Sequence, residues 1–141
     1  MGYAAAGKMS SIEESRAGAF VLQAEGRLIR LVWTGGAELD AIEGLIECAR
    51  ATSERIGGPL RQLRLLVLAH DATGLSGPGR RALMGFKNNN PWERVAVVGL
   101  RYEIKIVIEM VHRVFAMLPV EQAELKFLDS ETEARAWLDE A

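Results

Sequence analysis

With one cysteine, Cys48, in 141 residues, the chain has no partner for an internal disulfide and no thiolate pair for a metal. The thiol falls inside a helical pattern, where a buried or half-buried cysteine is an ordinary occupant, and a reduced, cytoplasmic setting fits this usage. Histidine is equally scarce: neither His70 nor His112 has another histidine or a cysteine at ligand spacing, so zinc has no support and no cofactor is implied. A formal charge of −2 gives no broad attraction for phosphate backbones or anionic lipid, which argues against nucleic acid as a partner. No stretch of membrane-spanning length escapes a charge, so insertion into a bilayer is not expected. The opening MGYAAAGKMSSIEESRAG lacks the apolar centre of a secretory signal, and Ala6 stands where a myristoylation motif needs Ser or Thr. Residues 1–17 are expected to form a flexible tail, and residues 18–141 a single domain.

What is present is a globular balance, 49% hydrophobic and 26% charged, in a chain long enough to bury its own core. Ala19–Ala24 and Leu28–Trp33 are two β-rich runs separated by Glu25-Gly26-Arg27, which predicts an antiparallel hairpin. Thr34-Gly35-Gly36 is expected to break the second strand. Leu39, Ile42, Leu45, Ile46, Ala49 and Ile56 recur at three- and four-residue spacing, the stripe of a helix that stops at Gly57-Gly58-Pro59. The run Leu65-Leu66-Val67-Leu68-Ala69 lacks alternation and reads as a central, parallel strand covered on both faces. It leads into Asp71-Ala72-Thr73-Gly74-Leu75, read as a polar turn, and then a short helix from about Pro78 to Lys87. Arg94–Leu100 repeats the buried-strand signature, a helix follows from about Tyr102 to Leu118, and Glu124–Leu128 alternates as an edge strand does. Ser130-Glu131-Thr132-Glu133 is a capping box opening a last helix. The order ββαβαβαβα predicts an α/β fold of about five strands and four helices, mostly parallel, with the first strand as an antiparallel edge.

With that order in place, the chain resembles the STAS family, the domain of bacterial anti-sigma-factor antagonists, and especially its small stand-alone SpoIIAA-like members. The likeness spans roughly Gly18–Ala141. It is carried by Asp71-Ala72-Thr73-Gly74-Leu75, by Arg94-Val95-Ala96-Val97-Val98-Gly99, and by Glu133-Ala134-Arg135-Ala136-Trp137-Leu138. In antagonists of known role the matching turn reads Asp-x-Ser-Gly-Leu, and its Ser is phosphorylated by a partner that is both anti-sigma factor and kinase. The resemblance therefore implies a non-catalytic regulatory or protein-interaction module, with a protein partner such as a regulator or kinase and Thr73 as the phosphoacceptor. Asp71, Gly74, Ser76, Arg80 and Arg81 are the partner-binding candidates beside it. Here Ser76-Gly77-Pro78-Gly79 follows the motif, whereas regulatory members start their helix almost at the acceptor hydroxyl. Pro78 in the first turn, with Ser76 or Gly77 as cap, moves Thr73 away from the helix N-terminus that would stabilise a phosphate.

The same residues also have plainer readings. Thr73 and Asp71 suit turn chemistry, bonding nearby backbone. The glycines 74, 77 and 79 with Arg80-Arg81 resemble an anion nest but match neither the P-loop nor the dinucleotide fingerprint. His70, Asp71 and Ser76 hold the residue types of a hydrolytic triad, yet neighbours on an extended chain point to opposite faces. In the long helix, Ile104, Val107, Ile108, Val111, Val114, Phe115 and Leu118 make a core stripe, and Ile106, Met110 and Met117 lie on its flank. That flank is expected to pack against a neighbouring helix, to form an oligomer contact, or to wall an apolar pocket. The rival reading is thus a binding protein for a small apolar or lipid-like ligand, its pocket lined by Met110, Met117 or Trp92. Central strands this apolar need a second covering layer, whether from the N-terminal segment or from a second copy of the chain.

Overall fold

The two apolar runs around Gly26 fold back on each other in register, pairing Phe20 with Trp33, Leu22 with Leu31 and Ala24 with Ile29. These inward residues are buried, and the Phe20 and Trp33 rings meet edge to face at 5.6 Å. In this computed structural model, residues 12–57, 62–83, 91–117 and 123–140 are described. The elements are β1 (Ile12–Ala17), β2 (Phe20–Glu25), β3 (Leu28–Ala37), α1 (Leu39–Ile56), β4 (Leu63–Leu75), α2 (Gly77–Leu83), β5 (Trp92–Val98), α3 (Tyr102–Ala116), β6 (Glu124–Leu128) and α4 (Glu131–Leu138).

All six strands form one sheet in the order β1-β2-β3-β4-β5-β6. The first two pairings are antiparallel and the remaining three parallel. The fold class expected from the sequence is therefore right, with one strand more. Ile12–Ala17, read as part of a flexible tail, is instead a strand that displaces β2 from the edge. Its alternation is hidden in the sequence because IEESRA is polar, and backbone pairing rather than side-chain burial holds it. Residues 1–11 lie outside the described part.

The continuous apolar run of β4 divides between two cores. Leu63, Leu65, Val67 and Ala69 face the larger one beneath α1, α2 and α3. Leu66 and Leu68 face a smaller one with Ala96, Val98, Ala134 and Leu138. Because β3 to β6 are added in one direction, right-handed crossovers set all the connecting helices on the same face. The second layer required by the central strands is α4, which covers the opposite face of β4 and β5 without help from another chain. Its start is the expected capping box, with Ser130 Oγ accepting from Glu133 N at 3.1 Å.

Ion pairs fix α4 to the sheet. Glu131 accepts from Arg30 at 3.1 Å and from Arg135 at 3.0 Å, and Arg135 reaches Glu25 at 3.3 Å. Trp137 closes the small core beneath the Arg94 guanidinium, 5.2 Å from its ring. The hydrogen bond from Arg30 and, after it, that from Arg135 hold the Glu131 carboxyl below its ordinary value of 4.5 despite partial burial. A carboxyl lowered in the folded state contributes stability above its unfolded value, and loses it as pH falls through the folded one. Glu131→Gln is thus expected to lower Tm near neutral pH and to narrow the gap from wild type as pH falls below the ordinary value of 4.5 and Glu131 itself protonates. A constant gap across a calorimetric pH series would refute this.

Candidate functional site

The strands β3 to β6 never reverse their order of addition, so the sheet has no crevice where neighbouring crossovers diverge, the usual nucleotide site of open α/β sheets. Two other features stand out: the carboxyl ends of the central strands and a cavity under the helices.

At the carboxyl end, Asp71-Ala72-Thr73-Gly74-Leu75 is not the turn expected from its composition. It continues β4, pairing with the second half of β3: Thr34 with Asp71, Gly35 with Ala72, Gly36 with Gly74 and Ala37 with Leu75. Nor does Thr34-Gly35-Gly36 end β3, which runs to Ala37. The register slips twice, between Val32 and Thr34 and again between Gly35 and Gly36, and the second slip leaves Thr73 with no partner on β3. An unpaired residue of this kind bends its strand and re-aims its side chain. Pairing with β5 stops at Leu68 and Val98, so the segment is bonded along one side only. Turn-forming residues hid the strand because tertiary pairing overrides local preference.

Thr73 and Asp71 are exposed while Ala72 between them is fully buried, so the motif is anchored by alternation. Gly74 does not have the left-handed backbone expected of a turn glycine. Ser76 is half-buried and does cap α2: its Oγ accepts from Gly79 N at 3.0 Å, and its N–H donates to Ala37 O at 2.9 Å. Arg80 and Arg81 are exposed, and both guanidinium groups curl over Gly77, 3.9 and 3.6 Å from where a β-carbon on that glycine would stand. Two cations are thereby gathered at the start of α2. On the other side of β4, Gly99 ends β5 at φ 79°, and a β-carbon there would lie 2.5 Å from the exposed His70 ring. Glycine is required by both conformation and space.

The flank of α3 is solvent-facing. Ile106 (37% exposed), Met110 (56%) and Met117 (80%) are exposed, and none is among the described residues that line the cavity. Val114, expected in the core, is exposed with them, as is Tyr102. The four-residue spacing of Tyr102, Ile106, Met110 and Val114 makes a ridge along the helix. Periodicity identified the apolar faces of α3 but not which of them turns inward.

Beneath α1 and α3, over β2 to β6, lies a cavity of about 150 Å³ lined almost entirely by apolar side chains. Trp33 and Trp92 contribute to it, as do Val97, Ile108 and Val111. Its one titratable member is His112, whose Nε2 donates to Ala123 O at 3.1 Å. Trp92 was expected in such a lining and His112 was not. Among the described residues no group of three potential metal ligands occurs, and no helix is long and apolar enough to cross a membrane.

This arrangement, a sheet with one antiparallel hairpin strand, crossover helices on one face and a closing helix on the other, is a SpoIIAA-like α/β fold. Residues 28–139 match the SpoIIAA-like family model, and the chain belongs to that family. Among solved structures it is similar to an uncharacterized protein of the DUF3478 family with a SpoIIAA-like fold from Shewanella loihica PV-4, at 17% identity and TM-score 0.59, covering 90% of this chain and 91% of that one. It is also similar to the anti-sigma factor antagonist SpoIIAA in its unphosphorylated form, at 10% identity and TM-score 0.56, covering 92% and 99%. At such identities the likeness is one of fold. No curated protein matches the sequence.

Proposed function

We propose that the chain is a non-catalytic, cytoplasmic interaction module that presents the carboxyl end of β4 to a protein partner. The observation that carries this reading is Thr73, exposed and unpaired at the slip in register, with Asp71 beside it. Arg80 and Arg81 add a compact positive patch suited to an acidic partner segment. A phosphate on Thr73 would bring close to two negative charges to this surface and alter recognition without entering the core. The solved antagonist described as unphosphorylated supports a modification-dependent role for this fold. The exposed flank of α3 with Ile106, Met110 and Met117 supplies a second, apolar contact area for a partner or a second copy.

Thr73→Glu and Thr73→Ala should each change stability by less than about 0.5 kcal/mol, as expected of an exposed site. Thr73→Glu should lose a partner that wild type and Thr73→Ala both capture, and phosphopeptide mapping of the native protein should find the modification. Capture indifferent to both substitutions would reduce the motif to backbone geometry. A second reading has its own observation: the apolar cavity favours binding of a small hydrophobic ligand.

A further inference from the structure

The cavity restricts its occupant by size and by chemistry. A closed apolar cavity of about 150 Å³ holds benzene in another protein, so about this much space suits a molecule of benzene to indole size. Among the described residues, the lining contains no lysine, arginine or carboxylate. A charged ligand would lie there without a counter-ion and leave water at a cost the site does not offset.

His112 supplies the selectivity. Ala123 O can only accept, so Nε2 carries a proton and donates to it at 3.1 Å. In a ring bearing that one proton, Nδ1 is an acceptor. Every other side chain in the lining is aliphatic or aromatic, and the tryptophans Trp33 and Trp92 offer N–H donors alone. The Trp33 donor is already committed to Gly35 O at 3.0 Å. Among the described residues of the lining, His112 is therefore the one side chain that can accept a hydrogen bond from a ligand.

Building on the ligand reading above, we infer that the cavity binds a small, uncharged, largely apolar molecule carrying one hydroxyl or N–H, which it donates to Nδ1 of His112. Toluene and phenol are matched probes, because one carries a methyl group where the other carries the donor; benzoate adds charge. Two of the three tryptophans line the cavity and Trp137 lies across the sheet, so ligand entry is read as a change in tryptophan emission together with Tm. Toluene and phenol should both raise Tm and shift the emission, and benzoate should do neither. The ratio of phenol to toluene Kd should rise about threefold to tenfold in His112→Leu, the worth of one hydrogen bond. In wild-type protein, free of any folding defect in the variant, phenol but not toluene should move the Nδ1 nitrogen resonance of His112.

If toluene leaves Tm and emission unchanged, the ligand reading itself fails. If toluene binds but the Kd ratio is the same in His112→Leu, or Nδ1 does not respond to bound phenol, the ligand reading stands and the role of His112 is overturned. Benzoate binding as tightly as toluene would overturn the exclusion of charge.

Discussion

Leu66→Ala is expected to destabilise the protein by about 2–5 kcal/mol, the cost of a buried leucine whose cavity cannot collapse. Leu66 is wholly buried in the small core, which has only Leu68, Ala96, Val98, Ala134 and Leu138 as its other buried members. Two of these are alanines with nothing to extend into the gap. The helix above is eight residues long and held partly by half-exposed ion pairs, which contribute little once apolar contact is loosened. Urea unfolding gives the stability, and Trp137, whose ring seals this core, gives a local signal. A loss under about 1 kcal/mol would mean that α4 does not bury the face described for it.

Gly44→Ala should destabilise by about 1–2 kcal/mol, against the usual direction for a glycine inside a helix. Such a change ordinarily gains about 1 kcal/mol from reduced backbone freedom. In α1, however, a β-carbon on Gly44 would collide with the β-carbon of Ala17 in β1. The helix and the added strand are in contact there, and overpacking costs more than the propensity returns. Ala17→Gly in the same background should recover most of the loss. A stabilised Gly44→Ala protein would show instead that β1 does not dock under α1.

These two sites also mark how far the sequence could be read. Leu66 belongs to an unbroken apolar run, and such a run states directly that both faces of a strand are covered, so the sheet centre and its helices were legible. The capping box at Ser130 and the stop at Gly57 were legible for the same reason: both are local hydrogen-bond chemistry. Ala17 and Gly44 touch across 27 positions of sequence, and nothing local in IEESRA or in the helix encodes that contact. The Asp71-to-Leu75 motif was visible as a candidate site, but its conformation was not, because pairing with Gly35 and Gly36 is a property of β3 as much as of β4. The inward turn of His112 depends on how α3 sits over the sheet, which helical periodicity alone leaves open.

A recognition residue on a flexible loop must be immobilised when a partner arrives, at about 1–2 kcal/mol of backbone entropy for each residue ordered. Thr73 is mounted on the same strand that carries Leu66 through the middle of the sheet, and it stands at the slip in register, exposed and without a partner position on β3. In the proposed role, a partner would meet a side chain whose direction is set before contact. A change at that exposed hydroxyl would lie outside the buried run of β4, so the strand would lend its rigidity to the surface while its core contacts stay as they are.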